Sequence, residues 1–178
     1  MMTTCCAIVG LVFLVLTNLA AIIAFATPYW ISTMKINRGL WAYCDERTCT
    51  WVFQEAPFYL DEQSSTWWLA TQGLMCVGLG LTLFALLVAT IALCCECKGC
   101  NSSHAVSGLL LLAFLVLGVA VVVFGISANQ SVMQVGLEGI ISFAWAFWLA
   151  CAASGLALFS SIVYCLEGRT RYSYRSNC

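Results

Sequence analysis

WISTMKINRGLWAYCDERTC, residues 30–49, is a polar and aromatic interlude between two long apolar runs. Trp30, Met34 and Ile36 alternate with Ile31, Thr33 and Lys35, a period of two that reads as a half-buried strand. Asn37-Arg38-Gly39 supplies turn chemistry, and Leu40 to Cys44 returns as a second strand. Asp45-Glu46-Arg47-Thr48 turns again, Cys49 to Gln54 forms a third strand, and Pro57 blocks further pairing. Three such short strands are too few to be stable alone, so the sheet must rest on its neighbours. Trp41, three residues before Cys44, is placed to wedge it there. The second hairpin sets Cys44 and Cys49 about 5 Å apart, within disulfide range. Two free thiols are the alternative, favoured only in a reducing compartment.

The neighbours are apolar. Of 178 residues, 62% are hydrophobic and only 8% charged, against about a quarter charged in a soluble domain. Lipid must therefore act as much of the solvent. A helical crossing needs roughly 20 apolar residues, and four stretches qualify: about 7–26, 67–93, 106–128 and 139–166. None holds a Lys, Arg, Asp or Glu. Their length and their Leu, Ala and Gly content favour helices over barrel strands. Ala24-Phe25-Ala26 looks like a signal-peptidase site, but no basic residue precedes the run and the run is longer than a signal core, so it reads as a retained span. The expectation is one tetraspan membrane domain over 1–178, with loops at about 27–66 and 129–138 on one side and the tail 167–178 on the other.

Arg169, Arg171 and Arg175 in the tail and Lys98 between spans two and three favour a cytoplasmic placement of both termini, which leaves the loop at 27–66 extracellular. Cys94, Cys95, Cys97, Cys100 and Cys165 then lie at the inner membrane surface. Cys97-x-x-Cys100 with His104 has ligand-like residue types, but no second well-spaced pair exists, and no metal is expected. Position favours palmitoylation over bare thiols.

Trp30, then Gly39-Leu40-Trp41, then Cys44 and Cys49, all between spans one and two, resembles the signature of the claudin, peripheral myelin protein and epithelial membrane protein superfamily, most like an invertebrate-type claudin. The resemblance covers the whole chain in topology, with motif spacings and a second outer loop shorter than in typical vertebrate claudins. It implies an all-α membrane fold: a left-handed four-helix transmembrane bundle carrying a small extracellular antiparallel β-sheet, completed by a strand from the second outer loop. It also implies a plasma-membrane protein of a tight or septate cell–cell junction that forms or regulates a paracellular barrier through homo-oligomers in cis and in trans. The superfamily also includes auxiliary subunits of ion channels and myelin-type adhesion proteins that organise membrane, and these are the alternatives.

Other residues carry finer expectations. Asp45, Glu46, Glu55, Asp61 and Glu62 would give a pore lining that attracts cations. Phe58 and Tyr59 sit in an apolar loop cluster suited to a neighbouring protomer or to lipid. Asn129-Gln130-Ser131 is a glycosylation sequon in the short outer turn. Tyr29, Trp30, Trp67 and Trp68 read as headgroup anchors, and Trp145 and Trp148 as bundle filling. Ala146, Ala150 and Ser154, with Ala20 and Ala24, mark close helix packing, and Asn18 a hydrogen bond to a neighbouring helix. Partners are membrane lipid and other junction or channel proteins. Net charge is −1, which gives nucleic acid no purchase. The lone His104 has no catalytic company, so neither enzymatic activity nor a cofactor is expected.

Overall fold

The computed structural model describes residues 5–33, 36–45, 47–51, 65–94, 102–135 and 142–176, with side chains at 7–33, 36–45, 47–51, 66–94, 102–130 and 142–170. Four helices, α1 (Cys5–Ala26), α2 (Ser65–Cys94), α3 (Ser102–Val135) and α4 (Trp145–Ser176), are each long and apolar enough to cross a membrane. α4 packs against both α1 and α3, α2 packs on α3, and the α1–α2 contact is thinner than these three.

Beside the buried Leu14, Met75, Leu110 and Leu117, small residues make up much of the interior. Ala20, Ala21 and Ala153 meet at the middle, while Ile22, Leu83, Leu87, Val119 and Ile162 point outward. Lipid is as apolar as leucine, so burial of large side chains gives no drive to associate; close approach of small residues does. Several of the polar residues inside are tied to backbone, whereas the Ser160 hydroxyl is buried without a partner among the described residues. Asn18 Nδ2 donates to Thr82 O of α2 at 3.2 Å, and Ser154 Oγ to Phe114 O of α3 at 3.2 Å. Ser107 and Ser161 exchange hydroxyl-to-carbonyl bonds at 2.9 and 2.8 Å. The small-residue and Asn18 expectations describe these contacts well.

Above one end of the bundle lies a five-stranded antiparallel sheet, β1 (Ile31–Ser32), β2 (Ile36–Arg38), β3 (Ala42–Asp45), β4 (Cys49–Trp51) and β5 (Ser142–Phe143), in the order β4-β3-β2-β1-β5. The strand β5 from the far loop joins β1, with Ile31 opposite Phe143. The first expected strand is in fact two. Thr33 Oγ1 accepts from Ile36 N and Thr33 N donates to Ile36 O, closing a turn where alternation alone predicted continuous strand. Asn37 and Arg38 are therefore strand residues, and the next turn is Gly39-Leu40-Trp41, bridged by Gly39 N to Ala42 O at 2.9 Å.

Two helix limits also differ from the apolar runs. α3 has 34 residues, about 50 Å at 1.5 Å per residue, so it continues through much of the stretch expected as the 129–138 loop. α4 starts at Trp145 rather than 139, because 142–143 is engaged in the sheet, and it runs to Ser176 through the expected tail. A helix leaving the membrane loses its apolar signal without losing its hydrogen bonds. The sequon is affected directly: Asn129 is exposed, but it lies within α3 and inside the apolar run that ends at Gln130. Peptide N-glycosidase treatment is expected to leave the gel mobility of the expressed protein unchanged.

Candidate functional site

The residues singled out between spans one and two converge where sheet meets bundle. Trp30 is fully buried, and its Nε1 donates to Ala24 O at 2.7 Å, one of the last α1 carbonyls with no partner inside its helix. Its ring meets Phe124 of α3 and Phe147 of α4 edge-on, at centroid distances of 4.7 and 6.0 Å. Trp68 is likewise buried, against Trp67 and Phe124. Trp30 and Trp68 are thus part of a buried aromatic plug at the sheet end of the bundle rather than headgroup anchors. Trp145 and Trp148 correct the expectation the other way. They begin α4 on its outer face, 49% and 62% exposed, and Tyr29 stacks on Trp145.

Gly39-Leu40-Trp41 has one job per residue. A Cβ on Gly39 would overlap Thr27 O and Pro28 Cα, so only glycine lets β2 pass the backbone leaving α1. Leu40 is fully buried, and its carbonyl accepts from Gln72 Nε2 at 2.6 Å and from Trp68 Nε1 at 3.3 Å. Trp41 packs its ring 5.1 Å from that of Phe25, on α1. Beside the motif, the Arg38 guanidinium lies 4.1 Å from the centroid of Trp68. Burial holds it below the ordinary arginine pKa.

Gln72 was not singled out from sequence. Its signal was available: it is the lone side-chain amide in an apolar run, and a polar group there must find a partner. Gln72→Leu removes the shorter donor to Leu40 O and is expected to cost about 1–2 kcal/mol, seen as a lowered melting temperature in detergent with the disulfide intact.

Cys44 and Cys49 are paired residues of β3 and β4 and are joined by a disulfide, with Cα atoms 4.0 Å apart. Asp45 N donates to Thr48 O at 2.9 Å across the same turn. Cys44 points inward and is 7% exposed, so the staple ties the outer hairpin to the seated strands. Replacing both cysteines by serine is expected to lower stability by about 2 kcal/mol in the loop-entropy account. Limited proteolysis between β3 and β4 reports it directly.

Outward from the seat, Tyr43 and Asp45 project from β3, and Trp51 lies exposed on the edge strand β4. Glu46, Glu55, Phe58, Tyr59, Asp61 and Glu62 lie outside the described residues. At the opposite end Cys94 is exposed at the last residue of α2, and Cys165 is half-buried on α4; Cys95, Cys97 and Cys100 lie outside the described residues. Glu167, expected in the tail, is buried beside Tyr164 and the first residues of α3.

The comparisons agree with this geometry. The chain is similar to "p53 apoptosis effector related to PMP-22" from Danio rerio, 24% identical over 148 residues that cover 78% of this chain and 74% of that protein. The family model described as PMP-22/EMP/MP20/Claudin matches residues 2–164. That span includes α1, α2, α3, the whole sheet and most of α4, and with it every residue of the Trp30, Gly39-Leu40-Trp41, Cys44–Cys49 seat. This multi-pass membrane protein belongs to the PMP-22/EMP/MP20/Claudin family.

Proposed function

We propose that the chain is an adhesion and barrier protein of a cell–cell junction, with both termini cytoplasmic and the sheet extracellular. Protomers associate side by side in one membrane and meet those of the apposed cell through residues 27–66. The observation that carries this reading is the seating of the sheet. A disulfide, an aromatic plug and two donors on one carbonyl hold a small platform rigidly over the helices, while Tyr43 and Trp51 stay on its exposed side. Rigid presentation lowers the ordering cost of association. Asp45 and the acidic residues of the loop bias the lining toward cations, and Cys94 and Cys165 are acylation positions at the inner surface.

Membership of the PMP-22/EMP/MP20/Claudin family is equally compatible with a second reading, a membrane-organising protein without a barrier. Expression in cells that lack junctions separates the two. Continuous strands at contacts and changed transepithelial resistance are the expected result. Diffuse surface staining with unchanged resistance would select the membrane-organising role, and co-purification of a channel would select an auxiliary one.

A further inference from the structure

Arg38 has a feature that neither the seat nor the barrier reading uses. Its guanidinium lies 4.1 Å from the centroid of the Trp68 ring and is held below its ordinary pKa by burial, and no carboxylate among the described residues offsets the lost hydration. A partly desolvated cation without an anion is costly. The ring beneath it is fixed, because Trp68 Nε1 is bonded to Leu40 O and its other contacts are Trp67 and Phe124. A guanidinium held by an aromatic ring on one side still has the N–H donors of its fork to offer a ligand on the other. Trp68 is the third residue of the apolar run that begins at Thr66, and the start of such a run falls near the headgroup region.

We propose that Arg38, held over Trp68 where β2 meets α2, anchors a binding site for the phosphodiester headgroup of a phospholipid in the leaflet adjoining the sheet. The fork takes two phosphate oxygens, and the acyl chains lie along the outward face of α2, where Leu69 and Val77 are exposed. A bound lipid would then act as a further peg between sheet and bundle. The site stands whether or not the protein forms a barrier.

The test is native mass spectrometry of the full-length protein, stripped of lipid in detergent and then given one of three probes: phosphatidylcholine, diacylglycerol with the same acyl chains, or inorganic phosphate. The expected result is a phosphatidylcholine adduct that survives activation, with neither diacylglycerol nor inorganic phosphate retained. Arg38→Gln is expected to lower the adduct about tenfold, the scale of one charge-assisted bond. Arg38→Lys, a point charge without the fork, should fall between. Disulfide closure and melting temperature check that each variant is folded; if the glutamine variant is not, the lysine variant and the three-probe comparison decide.

Equal retention of diacylglycerol, or Arg38→Gln binding phosphatidylcholine as well as the parent, would overturn the proposal. So would Arg38-dependent binding of inorganic phosphate alone, which makes the ligand a free anion. A dimer that dissociates in Arg38→Gln while lipid adducts stay unchanged would also overturn it, and would point to a carboxylate from a second copy.

Discussion

Gly39→Ala is expected to leave the protein retained inside the cell, with little reaching the surface and no cooperative melting transition. The added methyl would meet backbone on two sides, Thr27 O and Pro28 Cα. Neither atom belongs to a side chain that can rotate away. Thr27 itself is pinned, since its N donates to Ile23 O at 3.1 Å and its Oγ1 to the same carbonyl at 2.7 Å. Relief must therefore come from β2 lifting off the end of α1. That movement would strip the donors from Leu40 O and draw Arg38 off Trp68. Overpacking in a tight site costs roughly 1–3 kcal/mol before such coupled losses are counted, and a total above about 4 kcal/mol is expected here. Gly73→Ala is the control. It is helical, and a Cβ there meets nothing within 4 Å, so it should be neutral or up to about 1 kcal/mol stabilising. Surface biotinylation and fluorescence-detected melting of the two variants side by side read the difference. Normal trafficking of Gly39→Ala would show that the close approach at residues 27–28 is not needed.

The contrast between these glycines shows what a sequence does and does not make legible. Four crossings can be read because twenty uncharged apolar residues have almost no other use. The seat is legible as a motif, because Trp30, Gly39, Leu40, Trp41 and the two cysteines occur together at short spacing. What each does is not. Tryptophan serves both in a headgroup belt and in a core plug, and only burial in the folded chain assigns Trp30 and Trp68 to the plug and Trp145 and Trp148 to the outside. The strand pattern misled in one place. Alternation runs unbroken through Thr33, although the Thr33 hydroxyl turns the chain there and sets Ser32 against Asn37, whose Oδ1 accepts from Ser32 Oγ at 2.8 Å. Periodicity records which face a side chain uses and is blind to the chain reversal between Thr33 and Ile36.

The helix ends were unreadable for a related reason. Hydropathy follows the lipid boundary, whereas helices stop where their hydrogen bonding is taken over. At α4 that takeover is explicit: Ala144 N donates to Trp30 O at 3.0 Å and Ala146 N to Tyr29 O at 3.1 Å. The loop strand and the first turn of α4 are thereby tied to the exit of α1. Trp30 is thus bonded through its backbone to β2 and to the β5–α4 junction, and through its ring to α3 and α4.

That convergence makes Trp30→Ala the second large effect. Truncating a fully buried aromatic costs about 3–5 kcal/mol. Here the space left would open between three helix ends, with Phe124 and Phe147 losing their shared partner. The Ala24 carbonyl would also lose its donor. Trp30→Phe separates the two contributions. It keeps most of the ring packing and removes only the indole N–H, so a loss of about 1–2 kcal/mol is expected. Trp148→Ala, which deletes a ring that is 62% exposed, should change the melting temperature little. The predicted order of stability is therefore wild type, Trp148→Ala, Trp30→Phe, Trp30→Ala. If Trp30→Ala instead melted with the wild type, the sheet would have to be held by its strand pairing and disulfide alone. Strands of two to four residues are too short for that without a packed face beneath them.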